Sequence, residues 1–252
     1  MDEQTSAVEA LPKPSSLFTR ISNVFSSPGE LFAELALQPI QTSSWMIPLL
    51  LSIIMMVGST VLIFTNDTLR NQALEPQREQ MQKMVSEGKL TQEQADRAVE
   101  MTTGSKLGTI FAAVSVFGVA VVIFFAIPLV VWLSAQLFLQ YKGGYMKIVE
   151  MYGLTTFIAF LGGVVTILMM HIFLSIYATP GAWLALMQSY DRHNPVHNVI
   201  NAINIFTLWQ VALVGVGLSK SSGKPTGNGM AVAFGLWAIV VVVIVSVSAI
   251  FR

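Results

Sequence analysis

His171 is the ionisable side chain best placed to do chemistry inside an apolar segment of this sequence. Ionisable residues within a membrane are costly, and they often mark a proton path or a contact with a ligand. A neutral imidazole can equally form a structural hydrogen bond between two helices. Because His171 lies within about two turns of the end of its predicted helix, the sequence leaves both interpretations open.

Amide side chains form a second group of candidates, namely Asn198, Asn201, Asn204 and Gln210. The three asparagines and Thr207 recur at every third residue, which places them along a slowly drifting stripe on one helix face. Buried amides in lipid need hydrogen-bond partners. The stripe therefore either holds neighbouring helices together or lines a polar pathway or a pocket for a lipid head group.

The sequence gives less support to a metal site or to a phosphate-binding loop. Asp191, His193 and His197 carry metal-ligand side chains, but Pro195 interrupts the helix that would align the histidines. The 223–226 turn lacks the leading glycine of a P-loop, and proline follows its lysine. Nucleophile–base triads, paired intramembrane carboxylates and a Rossmann fingerprint are also missing from the sequence. We therefore predict no metal, no cofactor and no enzymatic activity.

The composition indicates which elements carry these residues. Of the 252 residues, 54% are hydrophobic and 11% are charged, and basic and acidic side chains are equal in number. Soluble domains contain about 25% charged residues, so the composition excludes an ordinary soluble enzyme. The net charge of zero predicts no nucleic-acid partner. Since the chain has no cysteine, disulfides and thiolate metal sites are excluded.

Five apolar runs approach the length of about 20 residues that a membrane-spanning helix needs. We place the predicted spans near residues 46–64, 110–138, 153–176, 199–218 and 229–250. The second run is too long for one straight crossing, and Pro128 predicts a kink in its middle, the alternative being a broken, re-entrant pair. The fold class predicted is an all-α polytopic membrane protein with a five-helix bundle.

Residues 15–45 predict amphipathic N-terminal helices, which follow a disordered tail at 1–14. Ser27, Pro28 and Glu30 resemble a capping box at the start of the second helix. These helices lie at the membrane interface or pack against the bundle itself. Their apolar faces consist of Leu17, Phe18, Ile21, Val24 and Phe25 in the first helix and Leu31, Phe32, Leu35 and Leu37 in the second.

Residues 65–106 carry thirteen of the charged side chains and predict a polar helical hairpin between the first two spans. Pro76 is suited to start its first helix. Thr91 and Gln94 have the spacing of a capping box at the start of its second helix. The hairpin is either a solvated structural element or a docking surface for a partner outside the membrane.

The lysines and arginines of short loops indicate the orientation of the chain. Basic residues in the N-terminal segment and in the 141–150 and 219–228 loops predict that these segments face the cytoplasm. The opposite side has only Arg192 and Arg252 in its short segments, and the six basic residues of the hairpin are balanced by seven acidic ones. We therefore predict a cytoplasmic N-terminus and a C-terminus outside.

Several short motifs occur in the order that is typical of one membrane protein family. The 17–28 segment, with Trp45 at the first span, resembles the opening of prokaryotic Yip1-domain proteins. Later parts of the chain are similar to the same family at Gly143, Gly144, Tyr145, Glu150, Tyr152, Gly153, Trp209, Gly215 and Gly217.

The resemblance implies five transmembrane helices, a cytoplasmic N-terminus and, for a prokaryotic protein, the bacterial inner membrane. Eukaryotic relatives are associated with Rab GTPases, trafficking and membrane shaping. This sequence lacks their Asp-Leu-Tyr-Gly-Pro motif, so GTPase binding is not carried over. The function predicted is a non-enzymatic scaffold or accessory subunit that binds a protein partner or forms a homo-oligomer. The alternative is a transporter or channel for a small molecule, an ion or a lipid, with a polar path between helices.

Overall fold

The computed structural model describes residues 14–104, 106–187, 189–191 and 193–250. The predicted tail at 1–14, except its last residue, and Arg192 and Arg252 lie outside the described residues. Those residues form helices and a single β-bridge but no strand, which confirms the all-α class. The helices are α1 (Leu17–Ser26), α2 (Pro28–Leu37), α3 (Ser43–Thr65), α4 (Asp67–Ser86), α5 (Gln92–Gly104), α6 (Lys106–Leu139), α7 (Tyr145–Phe173), a 3₁₀ turn (Ala182–Leu186), α8 (Pro195–Ala202), α9 (Ile205–Ser222) and α10 (Thr226–Ile250).

Among the described helices, four are long and apolar enough to cross a membrane. They are α3, the Val114–Leu139 part of α6, α7, and the Thr226–Ser246 part of α10. Helix α6 continues through Pro128, so this segment is one helix rather than a broken pair. The predicted fifth span falls on α9, which has 18 residues and is not among the four. The count of five spans therefore stays a prediction.

The long helices run between two ends of the bundle, which differ in their polar side chains. We call one the lysine end, formed by α1, α2, the 140–144 loop and the 223–225 turn. Lys224 Nζ lies 3.3 Å from Gln140 Oε1 there, which joins the last two of these segments. We call the other the hairpin end, formed by α4, α5 and residues 174–187, 189–191 and 193–204, where Gln72 donates to the carbonyl of Leu174. The three basic segments used to predict orientation therefore share one end.

The apolar core lies toward the lysine end. Leu31, Phe32 and Leu35 of α2 are buried against α7 and α9. Elsewhere the outer faces of the long helices expose large apolar side chains such as Ile54 and Val122, which are 64% and 66% exposed. Contiguous apolar surface of this kind is typical of a face that contacts lipid.

The residues predicted to start helices agree with the structure in some cases and not in others. Thr91 and Gln94 form the predicted capping box, in which each side chain accepts a hydrogen bond from the other residue's backbone N–H. Ser27 makes no side-chain cap bond, although Pro28 does occupy the first turn of α2. Helix α4 begins at Asp67, nine residues before Pro76, because the side chain of Asn66 caps it there.

Candidate functional site

A fully buried ion pair lies at the lysine end. Arg20 of α1 and Glu150 of α7 have side chains that are 0% and 1% exposed, and Arg20 Nη1 lies 3.0 Å from Glu150 Oε1. The same nitrogen donates to Ser44 Oγ, at 3.1 Å, in the first turn of α3. Arg20 therefore links the starts of two membrane-spanning helices to α1.

Further hydrogen bonds saturate the carboxylate of Glu150. Lys147, one turn earlier on α7, places its Nζ 2.7 Å from Glu150 Oε2 and also donates to the carbonyl of Gln38. The backbone N–H of Gln41 donates to Glu150 Oε1 at 2.9 Å. These contacts fix the connection between α2 and α3 against α7. We call Arg20, Ser44, Lys147 and Glu150 the polar clamp.

The clamp can hold helices together but leaves no free group for acid–base chemistry. Both carboxylate oxygens of Glu150 already accept hydrogen bonds from charged donors. Glu34 of α2 lies 4.0 Å from Arg20 Nη2 and is a second anion near this guanidinium. The two cations, Arg20 and Lys147, are thus matched by two anions, Glu34 and Glu150. Buried pairs of this kind resist the loss of one partner, because the remaining charge would be buried alone.

His171 lies near the hairpin end, where its ring contacts backbone carbonyls. Nδ1 is 2.9 Å from the carbonyl oxygen of Ile167, and Nε2 is 3.3 Å from that of Leu62 on α3. The second contact bridges α7 to α3. His171 does not line either intramembrane cavity described below.

The asparagines of the predicted stripe lie in the hairpin-end segment rather than along one helix. Asn198 and Asn201, on α8, accept hydrogen bonds from Tyr190 and Thr179. Asn204 caps the separate helix α9 by accepting from the N–H of Phe206. Burial raises the pKa of the Tyr190 phenol, so at neutral pH it remains a hydrogen-bond donor. The stripe is interrupted because residues 203–205 pair with the backbone of residues 180–182.

Gln210 is the predicted amide side chain that contacts intramembrane cavities, and Thr207 of the predicted stripe lines one of them. Gln210 lines a cavity of about 370 Å³ among α3, α6 and α7, and a second of about 350 Å³ among α6, α7, α9 and α10. Tyr152 lines both cavities with it. Gln210 Nε2 also donates to Thr155 Oγ1 at 3.3 Å. These polar side chains therefore separate two mainly apolar spaces.

The suspected metal group at the hairpin end is held by local hydrogen bonds. The N–H of Asp191 donates to His197 Nδ1, and the N–H of His193 donates to an Asp191 carboxylate oxygen. No set of three histidine, aspartate or glutamate side chains converges on a common point in the part of the chain that the structure describes.

Helices α9 and α10 cross in close contact beside the 223–225 turn. Glycine is required at this crossing, since a Cβ on Gly229 would lie 2.2 Å from the carbonyl oxygen of Gly215 and 2.2 Å from Ser219 Oγ. The hydroxyl of Ser219 accepts from the N–H of Gly229, and its one hydrogen is shared between the carbonyl oxygens of Gly215 and Thr226, each 3.1 Å from Oγ. Small residues allow such close approach between helices in membranes.

The fold and the buried clamp define an α-helical integral membrane protein, in which apolar helices are held together at one end by a charged hydrogen-bond network. The Yip1 domain model matches residues 22–247, and the chain belongs to this family. Neither a curated protein nor a solved structure matches the chain. The resemblance deduced from the short motifs is thereby confirmed at the level of the Yip1 domain.

Sequence reasoning did not identify the polar clamp as a unit. One signal was present: Glu150 is the only acidic residue between positions 107 and 190, and Lys147 precedes it by one turn. A second signal was the position of Arg20 among the apolar residues of α1, between Leu17 and Val24. A buried acidic side chain that stands alone at the start of an apolar helix needs a cationic partner, and the sequence offers few basic residues for that role.

Proposed function

We propose that this Yip1-family chain is a non-enzymatic membrane scaffold or accessory subunit, whose α4–α5 hairpin binds a protein partner or a second copy of the chain. The observation that carries the proposal is the charged surface of the hairpin. Ten of its charged side chains are exposed, and they are of both signs: Asp67, Glu75, Arg78, Glu79, Lys83, Glu87, Lys89, Glu93, Asp96 and Arg97. The Yip1 family is a non-catalytic membrane family, which also supports this class.

The hairpin is attached to the bundle in a way that suits docking. Leu69 and Leu74 of α4 are buried, and Gln72 exchanges two hydrogen bonds with residues 174–176. The rest of the hairpin has mostly exposed polar surface. A rigidly mounted surface with charges of both signs favours specific, electrostatically complementary partners.

The first test is the mass of the complex in mild detergent, measured by native mass spectrometry. We expect the full chain to be recovered with a partner or as an oligomer. Arg78→Glu together with Arg97→Glu should shift the mass toward a single chain, because both arginines are exposed on the hairpin. Lys220→Glu, an exposed substitution at the lysine end, is the control and should leave the mass unchanged. Recovery of the wild type only as a single chain would count against the proposal.

We also propose that the lysine end faces the cytoplasm and that α9 completes five membrane crossings. The grouping of the basic segments at one end supports this orientation under the positive-inside rule. Exposed Phe18 and Leu37 on α1 and α2 support an interfacial position for these helices.

Single cysteines test the orientation without background, because the chain has none of its own. Ser22→Cys reports on the lysine end and Gln82→Cys on the hairpin end, and both positions are exposed. In intact cells a membrane-impermeant maleimide should label only Gln82→Cys, and it should label Ser22→Cys after permeabilisation. Labelling of both cysteines in intact cells, or of Ser22→Cys alone, would contradict the orientation.

The second candidate, a transporter or lipid-handling protein, is favoured by the two cavities that meet at Tyr152 and Gln210. Their mainly apolar walls suit an acyl chain better than an ion. Reconstitution into vesicles that contain a fluorescent lipid distinguishes the two functions, since a scaffold would not accelerate lipid movement between leaflets.

A further inference from the structure

A basic cavity lies at the lysine end, outside the polar clamp and apart from the cavities beside Gln210. It has a volume of about 590 Å³ and lies between α2, the 140–144 loop and the last turn of α9. Three lysines, Lys142, Lys147 and Lys224, contribute to its walls, and its described lining residues include no carboxylate. The cavity therefore attracts anions.

The positive charge of this cavity is not cancelled by the polar clamp. Lys147 is paired with Glu150, and Arg20 lies between Glu150 and Glu34, so the two cations and two anions of this group balance. Lys142 and Lys224 form no ion pair with any residue that the structure describes, and the Lys224 ammonium donates to the neutral amide oxygen of Gln140. Two positive charges thus remain available to a ligand.

Hydrogen-bond donors accompany these charges. The Oγ atom of Ser222 is buried in the cavity wall, and no described residue provides it with a hydrogen-bond partner. Helix α7 begins at Tyr145 with Gly144 as its N-cap, so no side chain caps its first N–H groups. Gly144 and Lys147 line the cavity, so the positive end of the α7 helix dipole lies beside it. Burial raises the pKa of the Tyr141 phenol in the same wall, so this residue adds no negative charge.

The position of the cavity matches the depth of lipid head groups. Helix α6 ends beside it at Leu139, and the membrane-spanning helices α7 and α10 begin beside it at Tyr145 and Thr226. Basic pockets between membrane helices at this level bind the phosphates of anionic lipids. We propose that this cavity is a phosphate-binding site, in which Lys142, Lys224 and Ser222 hold a phosphate group of an anionic phospholipid or of a soluble phosphate ester. The site is independent of partner docking by the hairpin at the opposite end.

The test compares the affinity of the full-length protein for phosphatidylglycerol and for phosphatidylcholine, measured by native mass spectrometry from mixed micelles. We expect the wild type to prefer phosphatidylglycerol. Lys142→Ala together with Lys224→Ala should weaken that binding on the order of 25-fold, since each lysine near an anionic head group contributes roughly a factor of five. Ser222→Ala should weaken it on the order of tenfold, the effect of one hydrogen bond to a charged group.

The controls separate binding from folding. Lys83→Ala together with Lys89→Ala removes two exposed lysines from the hairpin and should leave lipid binding unchanged. Lys147 is left intact because it holds Glu150. The Ser222→Ala protein should keep its thermal midpoint, because Ser222 Oγ has no hydrogen bond within the described chain to lose.

Millimolar inorganic phosphate distinguishes the two sources of the phosphate group. Displacement of phosphatidylglycerol by inorganic phosphate would support a site that also accepts soluble phosphate esters, and phosphatidylglycerol binding without displacement would support a lipid site. Equal affinity for both lipids without phosphate binding, or unchanged affinity in the Lys142→Ala, Lys224→Ala protein, would overturn the proposal.

Discussion

Glu150→Gln should destabilise the protein by about 3–5 kcal/mol, the usual cost of leaving one charge of a buried pair without its partner. The substitution keeps the shape of the side chain but leaves the fully buried guanidinium of Arg20 without an anion at 3.0 Å. It also removes the anionic partner of Lys147. We expect a large fall in the thermal midpoint of the purified protein in a mild detergent.

The matched control is Asp67→Asn, which breaks the exposed Arg70–Asp67 pair. Exposed ion pairs contribute about 0–1 kcal/mol, so this variant should unfold near the wild-type midpoint. Arg20→Met combined with Glu150→Gln should be less destabilised than the sum of the two single variants, because no unpaired guanidinium is then buried. A Glu150→Gln protein with the stability of Asp67→Asn would show that the clamp does not hold the helices together.

Gly229→Ala should be the second strongly destabilising substitution, at about 1–3 kcal/mol or more, as expected where extra atoms are forced into close packing. The new Cβ would lie 2.2 Å from the carbonyl oxygen of Gly215, which is backbone and cannot rotate away. Helices α9 and α10 must then separate, and the hydrogen bond from Gly229 N–H to Ser219 Oγ is strained. The thermal midpoint and the yield of folded protein in detergent both measure this effect.

Gly235→Ala, on the same helix, is the control, and we expect it not to destabilise the protein. A Cβ there meets nothing within 4 Å, and glycine in a helix interior is less stable than alanine by roughly 0.5–1 kcal/mol. This variant should be as stable as the wild type or slightly more so. If Gly229→Ala and Gly235→Ala behaved alike, the close crossing of α9 and α10 would not limit stability.

The long helices could be predicted because their signal is local. Uninterrupted apolar sequence fixes α3, α6, α7 and α10, and the helical pattern of the polar hairpin follows from capping residues such as Thr91 and Gln94. The start of α9 could not be predicted in this way. Asn198, Asn201 and Asn204 have helical spacing, yet the helix is broken before Ile205 by backbone pairing with Pro180 and Gly181. That pairing joins distant segments and has no local sequence signature.

The polar clamp and the basic cavity were harder to predict from the sequence than the helices. On α1, periodicity predicts one apolar face, at the membrane interface or against the bundle, and gives no sign that Arg20 is fully buried. An apolar pattern cannot show that a cation lies inside, because its partner Glu150 is distant in the sequence. The basic cavity presents the same difficulty, since Lys142 and Lys224 come from separate loops that only the packing of α6, α7 and α9 brings together.

The separation of Arg20 and Glu150 in the sequence also sets an order for assembly during synthesis. The two residues are 130 positions apart, and ribosomes add roughly 5–20 residues per second. Arg20 therefore emerges on the order of ten seconds before its carboxylate exists. During this interval α3 and α6 are synthesised, while α1 and α2 exist without the carboxylate that completes the polar clamp. The polar clamp can therefore form only after the first two turns of α7, which include Glu150, have been synthesised.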